Sequence, residues 1–279
     1  MSLGIALKSA EGIVLAADSR VTIFATRQMM LGLQQQQMVF PSTYDNANKI
    51  LSIATQKYVG AVTFGAGVIG TTRPRTASSY LPEFEAELVE SDRLSVQVFA
   101  ERLSAFFLRQ WEAAGMSMTT TPNENMIFFV GGYDEGEAYG RLFQISIPLL
   151  PVPQEMHAGT FGVQWGGQID ITARMISGFD PMIPTAVQNA LGVDPANHRA
   201  DLPTQLNNQF TLPIPFEFLP LQDCVDFAHL IVRTTIEMQR FMVAVRGVGG
   251  AVDLATITRT GGFAPIRLKQ LTVRDGGPP

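Results

Sequence analysis

The chain has 279 residues, 46% hydrophobic and 16% charged, which gives it the apolar mass for a sizeable core and excludes a disordered chain. Its 20 Lys and Arg against 25 Asp and Glu leave a net charge of -5, with no basic footprint for DNA or RNA. No apolar run reaches the roughly eighteen residues needed to span a bilayer, no leader pattern opens the chain, and the single Cys224 has no internal disulfide partner. These features suit a protein of the reducing cytoplasm with no membrane partner.

In chain order, Ser2 to Leu7 and Gly12 to Ala17 are two apolar, β-rich runs around a polar turn, which predicts an opening hairpin. A Met- and Gln-rich stretch containing Gln34 to Gln37 follows and reads as an inserted loop at about 23–46. Lys49 to Ile53 and Tyr58 to Phe64 supply the next strand pair, ending in Gly65, Gly67 and Gly70. A helix is expected from about Ala77 to Val89, with Pro82 kinking it or marking a late start. In Ser95 to Trp111 the residues Val96, Phe99, Leu103, Phe106 and Phe107 form one stripe, the spacing of an amphipathic helix. Met126 to Gly131 and Tyr139 to Ile147 predict a hairpin, Gln168 to Ile176 and Asp223 to Met242 two helices, and Ala251 to Thr258 with Phe263 to Leu268 a last hairpin. The weakly periodic, Pro-rich stretch at 180–220 reads as a second insertion or lid, and the tail at about 272–279 as loose. Hairpins alternating with helix pairs imply an α+β chain of one domain, 1–279, with antiparallel sheets and helices on their outer faces.

Several motifs are absent. His157, His198 and His229 lie in no metal-ligand spacing, and there is no Gly-x-Ser-x-Gly or His-Glu-x-x-His, so neither a metal nor another cofactor is expected. Gly65-Ala66-Gly67-Val68-Ile69-Gly70 matches a dinucleotide-binding turn, with Glu83, Glu85, Glu87 or Glu90 at ribose-binding distance. That enzyme class is a distant alternative. The plainer reading is a tight glycine turn after a strand.

The segment Glu11-Gly-Ile-Val-Leu-Ala-Ala-Asp-Ser-Arg-Val-Thr22, with Ser2-Leu-Gly-Ile-Ala before it, resembles the first two strands of a proteasome β-type subunit, an N-terminal nucleophile hydrolase. Lys49-Ile-Leu-Ser-Ile, Val59-Gly-Ala-Val-Thr-Phe-Gly, Phe129-Val-Gly-Gly-Tyr-Asp-Glu-Gly and Val252-Asp-Leu-Ala-Thr-Ile-Thr-Arg-Thr-Gly-Gly-Phe resemble further blocks of that family in family order. The resemblance implies a four-layer αββα sandwich, a peptide or protein substrate, and a homo-oligomeric ring. It places Ser2 at the family's terminal threonine, a hydroxyl whose own α-amine takes its proton once Met1 is trimmed. Lys49 matches the active-site lysine, Asp18 its acid partner, and Gly65 the oxyanion-hole glycine. Thr22 matches a substrate-backbone contact, and Val21 and Thr63 match pocket positions.

Two family features are missing. The turn expected to carry a supporting serine reads Gln164-Trp165-Gly166-Gly167-Gln168, and Arg240 to Val245 carries no supporting aspartate. These departures keep a non-catalytic ring or interaction subunit open as the alternative. Met29, Met30 and Leu31, and the stretch from Leu212 to Leu221, are candidate subunit or lid contacts.

Overall fold

Two five-stranded antiparallel sheets organise the chain, in a computed structural model that describes residues 2–31, 34–89, 92–121, 124–194, 197–243 and 245–269. Met1 and the tail at 272–279 lie outside these. The opening hairpin pairs β1 (Leu3–Lys8) with β2 (Ile13–Ala17), and every residue of both strands is buried. Strands covered on both faces read as unbroken apolar runs, which is what these two segments are. The strand β10 (Gly162–Gly167) flanks β1, while β11 (Asp253–Thr258) and β12 (Gly262–Arg267) continue beyond β2. The second sheet runs in sequence order through β5 (Ile50–Ser52), β6 (Val59–Gly65), β7 (Met126–Gly132), β8 (Arg141–Ile147) and β9 (Leu150–Met156).

The period of two along β1 divides its side chains between cores. Leu3, Ile5 and Leu7 pack with Cys224, Ala228, Ile231 and Val232 of α6 (Leu221–Gln239). Ala6, with Ile13 and Leu15 of β2, packs instead against Val62 and Phe64 of β6 and Phe129 of β7. On the second sheet, Phe128 and Val130 of β7 pack with Phe84 of α1 (Leu81–Ala86) and with Phe99, Leu103, Phe106 and Phe107 of α2 (Val96–Ala113). The expected amphipathic stripe is thus the buried face of α2, whose N-terminus is capped by Ser95 Oγ accepting from the Val98 N–H at 3.3 Å. Pro82 falls in the first turn of α1 after a 3-10 turn at Ala77–Tyr80, so it marks a late start.

One expectation is corrected, and two further segments gain definition. The stretch at 23–46 is not a loop: β3 (Val21–Leu31) and β4 (Gln34–Tyr44) form a two-stranded arm, paired from Val21 opposite Tyr44 to Leu31 opposite Gln34. Polar Gln and Thr residues do not bar a strand when the backbone finds a partner at every position. The 180–220 stretch carries α4 (Ile183–Ala190) and α5 (Leu202–Phe210) after α3 (Asp170–Ile176), and Pro184 and Pro203 sit in the first turns of α4 and α5, where the missing N–H costs nothing. The Gly65 to Gly70 segment leads to an isolated bridge between Ile69 and Arg75 and no helix before Ala77, and both neighbours of β6 are antiparallel. The strand–turn–helix unit needed by a dinucleotide is therefore missing at this turn. Among the described residues no helix is long and apolar enough to cross a membrane.

Candidate active site

Ser2 stands at the head of β1 and is held from three directions. Its carbonyl accepts from the Gln168 N–H at 2.8 Å, just beyond β10. The approach depends on Gly167, whose φ is +98° and where a Cβ would fall 1.9 Å from the Ser2 carbonyl oxygen. The next residue, Leu3, donates its N–H to Asp18 Oδ1 at 2.9 Å. The Ser2 hydroxyl oxygen accepts from the Gly65 N–H at 3.2 Å, which ties it to the end of β6 in the other sheet. The two sheets come this close because Gly4 and Gly166, paired across β1 and β10, lie against the Phe64 ring, where a Cβ on either would come within 2.4 Å.

Asp18, directly after β2, is fully buried and accepts four hydrogen bonds. Besides Leu3 N–H, Oδ1 takes the Lys49 ammonium at 2.6 Å, and Oδ2 takes the N–H groups of Arg20 and Gly249, each at 3.0 Å. Four donors on two oxygens leave the carboxylate little freedom, so it fixes the lysine's position. Burial pushes Lys49 below the ordinary lysine value, while the charge of Asp18 and its hydrogen bond oppose that fall.

These groups meet at an open cleft of ≈ 440 Å³. Ser2, Val21, Thr22, Lys49, Thr63 and Gly65 all line it, and Asp18 stands behind Lys49. The structure thus brings all seven sequence-predicted site residues into one neighbourhood. The hydroxyl oxygens of Thr22 and Thr63 are buried with no hydrogen-bond partner among the described residues.

Sequence reasoning missed Arg20, which also lines the cleft. Its guanidinium grips Asp45 through both carboxylate oxygens at 2.5 and 2.7 Å and donates to the Arg246 carbonyl at 3.3 Å. Asp45 follows β4, so the pair ties the root of the β3–β4 arm to the cleft wall, and its hydrogen bonds hold Arg20 above the ordinary arginine value. Gln168 and Gly249 were missed as well, because they act through backbone N–H groups that every non-proline residue carries. Where the supporting serine and aspartate were expected, Gln168, Gln239, Met242 and Val245 line a shallow surface dip, with Gln168 Oε1 and Gln239 Nε2 both unpaired among the described residues. Cys224 is buried in the core on the inner face of α6, and burial raises its thiol, which fits packing rather than reactivity.

A hydroxyl beside a backbone donor, with a buried ammonium–carboxylate pair in the same cleft, can stabilise negative charge on a reacting oxygen and assist proton transfer. No family model matches the chain, and no curated protein matches it. Among solved structures, the Anbu (Gly-1) mutant from Hyphomicrobium sp. strain MC1 is similar over 99% of this chain and 89% of that one, at 14% sequence identity and a TM-score of 0.53. At that identity the likeness is one of fold: the chain is built on the same architecture as Anbu.

Proposed function

We propose that the chain is a proteasome-like N-terminal nucleophile hydrolase that cleaves amide bonds of peptides, with Ser2 as nucleophile. The observation that carries this reading is the placement of the Ser2 hydroxyl 3.2 Å from the Gly65 N–H in the cleft that Lys49 also lines. The fold shared with Anbu supports it. So do the helices packed against each sheet and the apolar core between the sheets, as a four-layer sandwich requires.

On this reading the mature chain begins at Ser2. The α-amine, with an ordinary pKa of about 8, takes the hydroxyl proton as the oxygen attacks the substrate carbonyl. The Gly65 N–H stabilises the resulting oxyanion, a contribution of about 3 kcal/mol. The proton then passes to the departing amine nitrogen, the C–N bond breaks, and an ester to Ser2 remains. Water, deprotonated by the same amine, attacks that ester and releases the acid. An incoming amine in place of water would make the product a new amide. Thr22 meets the substrate backbone, and Val21 and Thr63 line the pocket for its side chain.

A non-catalytic ring subunit is the second reading, favoured by the apolar Met242 and Val245 where the family's supporting acid is expected. In either case the assembly is a homo-oligomer in which the β3–β4 arm contacts a second copy. Strand alternation and the pairing register put the exposed Met29, Met38, Phe40 and Tyr44 on one face of that arm. A two-stranded ribbon is marginal in water until such a face is covered.

The test is intact mass followed by covalent labelling. Hydrolase function requires protein lacking Met1 and a β-lactone adduct on Ser2 that disappears in Ser2→Ala and is strongly slowed in Lys49→Ala. Retention of Met1 in protein from its native cell removes the base and overturns the catalytic reading.

A further inference from the structure

A second buried lysine–aspartate pair stands behind the first. The chain has four lysines, Lys8, Lys49, Lys57 and Lys269. Two of them are spent on buried aspartates: Lys49 on Asp18, and Lys269 on Asp253, whose Oδ2 accepts from the Lys269 ammonium while its Oδ1 accepts from the Lys269 N–H at 2.9 Å. The Asp253 and Lys269 side chains are only 3% and 11% exposed. Asp253 opens β11 and lies opposite Ala17 of β2, the residue before Asp18. β11 also touches β5, which begins one residue after Lys49. Four chain segments, the end of β2, the start of β5, the start of β11 and the chain just beyond β12, therefore carry two ion pairs to one buried corner beneath the cleft.

Burying a second pair is costly and is weak evidence for stability alone. Its place beside the first gives it another consequence. We propose that Asp253 and Lys269 are positioning residues for the candidate site, acting through Lys49: the outer pair is a balanced set of charges that adjusts how firmly Lys49 holds its proton. The field of Lys269 works against the Lys49 proton and that of Asp253 works for it, beneath the larger effects of burial and Asp18. Arg20 and Asp45 also stand near Asp18 and neutralise one another, and on the hydrolase reading the Ser2 α-amine is a further titratable group at the cleft, common to all the variants. With both outer charges present their effects on Lys49 oppose one another; with either removed, the survivor acts alone. The two single variants must therefore move Lys49 in opposite directions, which loss of packing cannot do.

The proposal depends on the hydrolase reading for its catalytic meaning, so its test reads Lys49 directly. In full-length protein carrying 13C-labelled lysine, the ε-carbon signal of Lys49, identified by its loss in Lys49→Met, is followed with pH. Asp253→Asn leaves Lys269 uncompensated and lowers the Lys49 titration. Lys269→Met leaves Asp253 uncompensated and raises it. Each shift is expected to be at least about half a pH unit, with the double variant close to the parent. If Asp253→Asn does not fold, the upward shift in Lys269→Met decides alone. A Lys49 titration unchanged, or moved the same way in both variants, overturns the proposal. The pH profile of Ser2 acylation by the β-lactone separates the two ideas. Opposite lysine shifts without any acylation of the parent protein leave the coupling standing and the hydrolase reading refuted.

Discussion

Asp18→Asn tests the centre of the site. The substitution keeps the shape but removes the charge that faces Lys49, and it swaps one acceptor oxygen for an amide NH2. Whichever way the amide turns, that NH2 meets a pair of donors: Leu3 N–H with the Lys49 ammonium, or Arg20 N–H with Gly249 N–H. Two lost buried hydrogen bonds cost about 2 kcal/mol together. With the ammonium stranded in a site where its side chain is 8% exposed, the whole loss reaches about 3–5 kcal/mol at neutral pH. In a chain of this length that lowers the melting temperature by about 10 °C. The loss also has a sign in pH. Lys49 already lies below the ordinary lysine value in the folded protein, and without Asp18 it falls further. Between that depressed value and about 10.4, the unfolded chain binds a proton that the folded chain does not, so stability rises with pH. The deficit of the variant is therefore largest near neutrality and narrows toward about pH 10. Urea unfolding of parent and variant at about pH 7 and 9.5 measures both quantities. A deficit below about 1 kcal/mol at neutral pH, or one of constant size, refutes the assignment of Asp18 as the partner of a charged Lys49.

Two further outcomes follow from the geometry. Gly167→Ala puts a methyl group onto the Ser2 carbonyl oxygen at a residue whose φ is +98°, so the head of β1 must shift. Folded protein that no longer reacts with the β-lactone is expected, and undiminished labelling shows that β10 does not position Ser2. Met38→Lys with Phe40→Lys alters two side chains that are each 37% exposed, with little expected cost to the isolated subunit, within about 0.5 kcal/mol per site. The same charges lie on the arm face offered to a second copy, so light scattering is expected to show a smaller assembly. An unchanged mass takes that role from the arm.

What the sequence reveals of the fold follows from the range of the forces involved. Hairpins such as β1–β2 and β7–β8 are closed by local turns and patterned by one or two buried faces, and α2 carries its stripe within five turns; each is legible from a short window. β10 and β9 are not. β10 reads Gly-Val-Gln-Trp-Gly-Gly, poor in strand-favouring residues, and it is a strand because β1, more than 150 residues earlier, supplies its hydrogen bonds. β9 carries Pro151 and Pro153, which argue against a strand except at a sheet edge, and the edge is where it lies. The arm failed for a similar reason: its run of glutamines has no apolar period, and only the register with β3 turns it into one side of a ribbon.

The site divides along the same line. The assignment of Ser2, Asp18, Lys49 and Gly65 follows from the family resemblance, whose blocks carry these residues along the chain. Their orientation does not. Asp18 is aimed by Gly249, 231 residues away, and Ser2 by Gln168, in each case through a backbone N–H that carries no residue-specific mark. What marks these positions is exclusion: a Cβ at Gly249 would fall 2.4 Å from the Arg20 guanidinium carbon, and one at Gly167 would fall on Ser2 itself. A side-chain reading of the supporting groups therefore finds a missing serine and a missing aspartate, whereas the backbone supplies a donor to Ser2 and another to Asp18. The nucleophile's position rests on these main-chain donors, and substitutions of Gly167 or Gly249 are expected to disturb it more than substitutions of Met242 or Val245 that preserve their volume.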